Sequence, residues 1–86
     1  MDELEKSVRD VLQEVSANAY SKAPVQEDDN LYELGILDSL TTVQFIIRIE
    51  KQLGVEVPNR DIRYESFSSI REIVALLAKK RSQVKA

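Results

Sequence analysis

Gly35-Ile36-Leu37-Asp38-Ser39-Leu40 sets a serine hydroxyl immediately ahead of a long apolar segment. The chain has no histidine and no cysteine. A Ser-His-Asp triad or a Cys-His pair cannot be built within it, and zinc sites made from those ligands are excluded as well. Ser39 has no imidazole to activate it as a nucleophile. It therefore reads as a group that another enzyme modifies, or as an ordinary cap at the start of a helix. Glu27, Asp28 and Asp29 are three consecutive acids in a polar stretch, a pattern that suits a solvated turn better than an acid/base pair. The two glycines stand nineteen positions apart, so no phosphate-cradling glycine loop is present. With so few catalytic groups, the chain reads as a non-enzyme.

The elements that must position Ser39 follow from periodicity. Leu4, Val8, Val11, Leu12, Val15 and Ala19 recur at three- and four-residue steps, as one face of an amphipathic helix requires. Asp2, Glu3 and Glu5 lie in its first turn, where the helix dipole favours acids. Residues 20–37 read as a long loop. Pro24 biases Ala23 away from helical angles, while Leu31, Leu34, Ile36 and Leu37 are apolar enough to pin the loop to a core. Residues 39–53 carry two signals. The alternation of Val43, Phe45, Ile47 and Ile49 suits a strand. Length, a cap at Asp38 or Ser39 and a left-handed stop at Gly54 suit a helix, and we expect the helix. Its apolar face is expected to comprise Leu40, Val43, Ile46, Ile47, Leu53 and Ile49, making it the most buried element. Val55-Glu56-Val57-Pro58 reads as extended. Asn59 can start a short irregular helix over 59–66. Ser68 or Ser69 can cap a last helix built on Ile70, Ile73, Val74 and Leu77, with Lys79, Lys80 and Arg81 opening a basic tail.

The 86 residues predict one domain, 1–86, with one modest core and a thin margin of stability. The expected fold is all-α, a small four-helix bundle of three principal helices plus one short helix. Net charge is −3, unevenly spread: residues 1–38 hold three Lys/Arg and ten Asp/Glu, residues 39–86 nine and five. Such asymmetry fits either a partner surface or helix faces that cancel on folding. Scattered basic residues and five aromatics argue against nucleic acid as a partner. No apolar run approaches the roughly 20 residues of a membrane span, and the polar start is unlike a secretory signal. Membrane insertion is therefore not expected. Absence of cysteine fits a reducing compartment, and a cytoplasmic monomer is the expectation.

Taken in order, the acidic loop, Leu34-Gly35, Asp38-Ser39-Leu40, an apolar segment with Val43, Val55-Glu56-Val57-Pro58 and a closing amphipathic helix resemble the acyl and peptidyl carrier protein family along almost the whole chain. The resemblance implies that Ser39 receives a 4'-phosphopantetheine arm from coenzyme A, whose thiol holds an acyl or aminoacyl group as a thioester. It implies that Asp38 and Leu40 flank the attachment, and that Asp38 assists the metal-dependent transferase. Phe67 would line the arm, and Leu40, Thr42, Val43, Ile47 and Arg48 would face partners. Those partners would be a phosphopantetheinyl transferase, an adenylating acyl or aminoacyl ligase, and a downstream transferase, synthase or tailoring enzyme.

Two departures narrow the resemblance. Fatty-acid carriers space the glycine as Gly-x-Asp-Ser, whereas here Gly35-Ile36-Leu37-Asp38-Ser39 is one residue longer, as in D-alanyl carrier proteins and other free-standing carriers loaded by a ligase. The segment after the serine holds Thr41, Thr42, Gln44, Arg48 and Lys51 with only Glu50 acidic, unlike the acid-rich helix of fatty-acid carriers. A free-standing carrier of an amino acid or small acid is the resulting expectation. Cell-wall, nonribosomal-peptide and polyketide routes all stay open. The rival readings are a helical interaction adaptor with Ser39 as a cap only, and a small regulatory domain phosphorylated on that serine.

Overall fold

A computed structural model describes residues 3–16, 25–58, 60 and 62–84. Three α-helices follow one another: α1 (Glu3–Val15), α2 (Ser39–Leu53) and α3 (Ile70–Val84), with one short 3-10 helix at Glu65–Phe67 before α3. The all-α expectation holds. A fourth α-helix is not found among the described residues; the single 3-10 turn stands in that part of the chain, at the end of the expected 59–66 stretch. The readings of Asp2, Ala19, Pro24 with Ala23, and Asn59 lie outside the described residues.

α1 buries Val8, Val11 and Leu12 and packs against both other helices. From α2 the core takes Phe45, Ile46 and Ile49, and from α3 Ile70, Ile73 and Leu77. Phe67 and Phe45 meet edge to face, ring centroids 6.4 Å apart, a geometry that adds to the area they bury. α2 is a helix, so the alternation of its β-branched residues did not decide its form. Its buried face is Thr42, Phe45, Ile46 and Ile49. This corrects the expected face: Leu40, Val43 and Ile47 point to solvent. The helix carries two apolar stripes, and only the one holding its bulkiest side chain fits against α1.

Local chemistry fixes each end. Asp38, in an extended conformation, is the N-cap of α2, and Gly54 stops the helix at φ 69° with its amide on the Glu50 carbonyl, 2.8 Å away. Ser69 caps α3 by accepting from the Glu72 amide at 3.2 Å. Lys79, Lys80 and Arg81 lie in the C-terminal half of α3, Arg81 in its last turn, and Lys80 is buried.

The long loop is held at several points. Leu31, Ile36 and Leu37 are buried, and both the Ile36 and Leu37 amides donate to the Leu31 carbonyl. The Leu31 amide donates to Ser68 at 2.7 Å, and Ser16 donates to the Ile36 carbonyl. Arg71 donates to Asp28 at 2.6 Å and to Glu27 at 2.8 Å, while its own amide donates to the Glu27 carbonyl. Arg48 reaches Glu14 at 3.2 Å. Thus two basic residues of the second half meet acids of the first, so part of the charge asymmetry cancels on folding.

Candidate functional site

Gly35 turns the chain at φ 78°, a left-handed conformation that an L side chain adopts only under strain. Ile36 and Leu37 then anchor the backbone in the core, and Asp38 and Ser39 emerge at the surface. The Asp38 carboxylate accepts from the Leu40 amide at 3.0 Å and the Thr41 amide at 2.9 Å, and Thr41 Oγ1 accepts in return from the Asp38 amide at 2.8 Å. This reciprocal box satisfies donors that a helix start leaves open. The Thr41 amide, then the Thr41 hydroxyl, hold the Asp38 carboxyl below its ordinary range, with the Leu40 amide contributing less.

The consequence for Ser39 is direct. Because Asp38 does the capping, Ser39 stands at the first position inside α2, exposed, and its hydroxyl has no hydrogen-bond partner among the described residues. The reading of Ser39 as a cap only is therefore overturned. Two of the amides at this helix start, those of Leu40 and Thr41, are occupied by Asp38.

A groove of about 370 Å³ runs beside Ser39, lined by Tyr32, Thr42, Val43, Ile62, Arg63 and Tyr64. That volume is at the lower end of what small-molecule sites enclose, about 300–1,000 Å³. On the outer side of α2, Leu40, Val43 and Ile47 are 65%, 50% and 55% exposed and spaced i, i+3, i+7. Fully burying one such side chain is worth about 1.5–3 kcal/mol, so leaving three in water forgoes several. The three form an exposed apolar stripe along α2. Beyond Ile47, Glu14, Val15, Gln44, Arg48 and Lys51 line a second groove, about 450 Å³, between α1 and α2.

The sequence-predicted residues divide accordingly. Asp38, Ser39, Leu40, Val43, Ile47 and Arg48 are all exposed, Ser39 and Val43 lining the first groove and Ile47 and Arg48 the second. Thr42 does not belong with them: it is buried, with its hydroxyl 3.3 Å from that of Tyr32. Phe67 is also misplaced by the sequence reading, since it is fully buried against Phe45 and serves the core. Tyr32, Ile62, Arg63 and Tyr64 were not foreseen. They come from two loops about thirty residues apart, and no local spacing ties them to Ser39. The acids at 27–29 serve the fold, with Glu27 and Asp28 on Arg71 and Asp29 accepting from the Gln26 amide at 2.9 Å. Among the described residues no group of three metal-ligating side chains converges.

Residues 3–77 match the family model described as the phosphopantetheine attachment site. The chain belongs to that phosphopantetheine-binding carrier family. A D-alanyl carrier protein of Lactiplantibacillus plantarum is 33% identical over 78 residues, covering 91% of this chain and 94% of the relative. One from Enterococcus faecalis is 32% identical over 71 residues, covering 83% and 88%. Among solved structures, a holo acyl carrier protein from Nitrosomonas europaea superposes with a TM-score of 0.79, covering 95% of this chain and 99% of its own at 24% identity. It supports the fold. Membership makes the chain a non-catalytic carrier whose cofactor is covalently bound phosphopantetheine. The exposed, unengaged hydroxyl of Ser39 fits that group, since it can be esterified without breaking a contact among the described residues. No helix among the described residues is long and apolar enough to cross a membrane.

Proposed function

We propose that Ser39 bears the phosphopantetheine arm and that the carrier presents an amino acid or small acid, D-alanine being the leading candidate, as a thioester in the cytoplasm. The observation that carries this reading is the division of labour at the start of α2: Asp38 takes the cap, so the Ser39 hydroxyl is left exposed and unengaged. In the attachment, the serine oxygen forms a bond to the β-phosphorus of coenzyme A, the pyrophosphate bridge breaks, and adenosine 3',5'-bisphosphate leaves. The serine proton passes to the transferase. When bound, the arm supplies the thiol that a cysteine-free chain lacks. The protein's own residues do the rest. Asp38 rigidifies the corner, Leu40, Val43 and Ile47 offer an apolar strip to whichever enzyme docks, and Arg48 and Lys51 lie beside it. Surface charge mainly sets encounter rate and rejects wrong partners. A face with these two cations suits a ligase-loaded carrier and is poorly matched to enzymes built to read an acidic helix.

The cargo rests on the curated relatives, both D-alanyl carriers at about a third identity, and on the longer Gly35-to-Ser39 spacing. A direct test offers the arm-bearing protein to two adenylating ligases, one activating D-alanine and one activating octanoate, with ATP and magnesium. Intact mass should show D-alanyl thioester formation outpacing octanoyl. Octanoyl loading at an equal or higher rate contradicts the assigned cargo.

A further inference from the structure

The groove beside Ser39 has a constructed wall. Tyr32 and Tyr64 stack with ring centroids 4.6 Å apart and planes 29° from parallel. Each ring is anchored away from the other. Asn30 Nδ2 donates to the Tyr64 hydroxyl at 3.0 Å, while Asn30 Oδ1 accepts from the Tyr32 and Glu33 amides, both at 2.9 Å. The Tyr32 hydroxyl lies 3.3 Å from that of Thr42 on α2. One asparagine thus ties both tyrosines to the loop, and Thr42 ties the stack to the helix that carries Ser39. Tyr32 packs against the edge of the core, whereas its stacking partner Tyr64 is more than half exposed.

The groove also holds a cation. Arg63 lines it together with Ser39. Its Nε donates to the Arg60 carbonyl at 3.4 Å, and among the described residues its terminal nitrogens have no acceptor. A guanidinium with both terminal nitrogens open suits the paired oxygens of a phosphate group. Phosphopantetheine on Ser39 places a phosphodiester anion next to the Asp38 carboxylate, whose Oδ1 is engaged in capping. Like charges at neighbouring positions call for a counter-ion, and Arg63 is the cation lining the groove that adjoins them.

We propose that the arm itself docks in this groove, its phosphodiester paired with Arg63 and its pantetheine portion laid along Val43, Ile62 and the exposed face of Tyr64. The proposal rests on attachment at Ser39. Because the wall is preset by the Asn30 and Thr42 contacts, docking orders few additional side chains, which lowers the entropic cost. The groove is a surface feature of about 370 Å³. With the arm in it, the cargo stays at the mouth and is not drawn between the helices. That arrangement favours a short, polar cargo over a long alkyl chain and holds the thioester near α2 until a partner lifts it away.

The test compares amide spectra of ¹⁵N-labelled protein before and after loading with coenzyme A, magnesium and a broad-specificity phosphopantetheinyl transferase, with complete loading confirmed by intact mass. Shift changes at Tyr32, Arg63 and Tyr64 should match those at Leu40 and Thr41. In Arg63→Gln, an exposed substitution outside the core, the changes at residues 62–64 should fall by at least about two-fold, with Arg63→Lys keeping part of them. Raising salt from about 0.05 to about 0.5 M should weaken them in the parent and leave Arg63→Gln unaltered. Loaded protein whose changes stop at residues 37–42 overturns the docking site and leaves the carrier reading standing. Groove changes that persist undiminished in Arg63→Gln overturn the phosphate contact. Absence of any mass gain overturns both readings.

Discussion

Phe67→Ala separates a core role from an arm-lining role. The Phe67 side chain is fully buried and meets Phe45 edge to face at 6.4 Å. Truncating a buried Phe costs about 3–5 kcal/mol, the transfer loss plus the cavity left behind. Total stability of a small domain is only about 5–15 kcal/mol, so this is a large share. At about 4–8 °C of Tm per kcal/mol for a domain of this size, the melting temperature should fall by at least about 12 °C. The assay is thermal unfolding followed by circular dichroism on arm-free protein, paired with the rate of arm loading well below both transitions. Loading per folded molecule should stay within about two-fold of the parent, because Phe67 does not reach the groove by Ser39. A Tm change below about 4 °C together with a collapse of loading would refute the reasoning and return Phe67 to the arm.

Four further outcomes follow from the same geometry. Ile47→Ala should leave stability within about 0.5 kcal/mol, since the side chain is mostly exposed and Ala is the better helix former. It should slow loading by the ligase at least about ten-fold, a 1.4 kcal/mol loss at the docking step, and an unchanged loading rate would remove Ile47 from the partner face. Gly54→Ala should cost about 1–2 kcal/mol in denaturant unfolding, because φ is 69° there. Asp38→Asn bears on pH. The Thr41 and Leu40 amides lower the folded-state pKa of Asp38, so its stabilisation is full above the ordinary carboxyl value of about 3.9 and disappears as pH falls through the lowered one. The parent–variant difference in Tm should therefore be present at neutral pH and close in strong acid; a constant difference contradicts the capping account. Arg71→Gln should loosen the 25–38 loop, seen as faster amide exchange at Leu31 and its neighbours. Its effect on Tm should shrink with added salt, since the ion pairs to Asp28 and Glu27 are exposed.

Much of the site was legible because it is local. Asp38, Ser39 and Leu40 are adjacent, Gly35 and Gly54 punctuate the chain, and Ser69 sits one residue before α3. The parts that escaped depend on which faces meet. In α2 the pattern offered two apolar stripes, and the three-to-four spacing fits Leu40-Val43-Ile47 as readily as Thr42-Phe45-Ile49. Volume separates them, since the stripe with Phe45 fills the space against α1 and Phe67. Thr42 looked like a surface residue by type, yet its hydroxyl faces that of Tyr32. The tyrosine wall joins positions 32 and 64, a juxtaposition that only tertiary packing creates. Arg63 gains its meaning from that same juxtaposition.

Intact mass of the protein after incubation with coenzyme A, magnesium and a broad-specificity phosphopantetheinyl transferase tests the central claim most directly. The account predicts a gain of one phosphopantetheinyl group in the parent and none in Ser39→Ala, whose fold should be intact because Asp38 retains the cap. A parent that gains no mass, or a Ser39→Ala protein that gains the same mass, contradicts it.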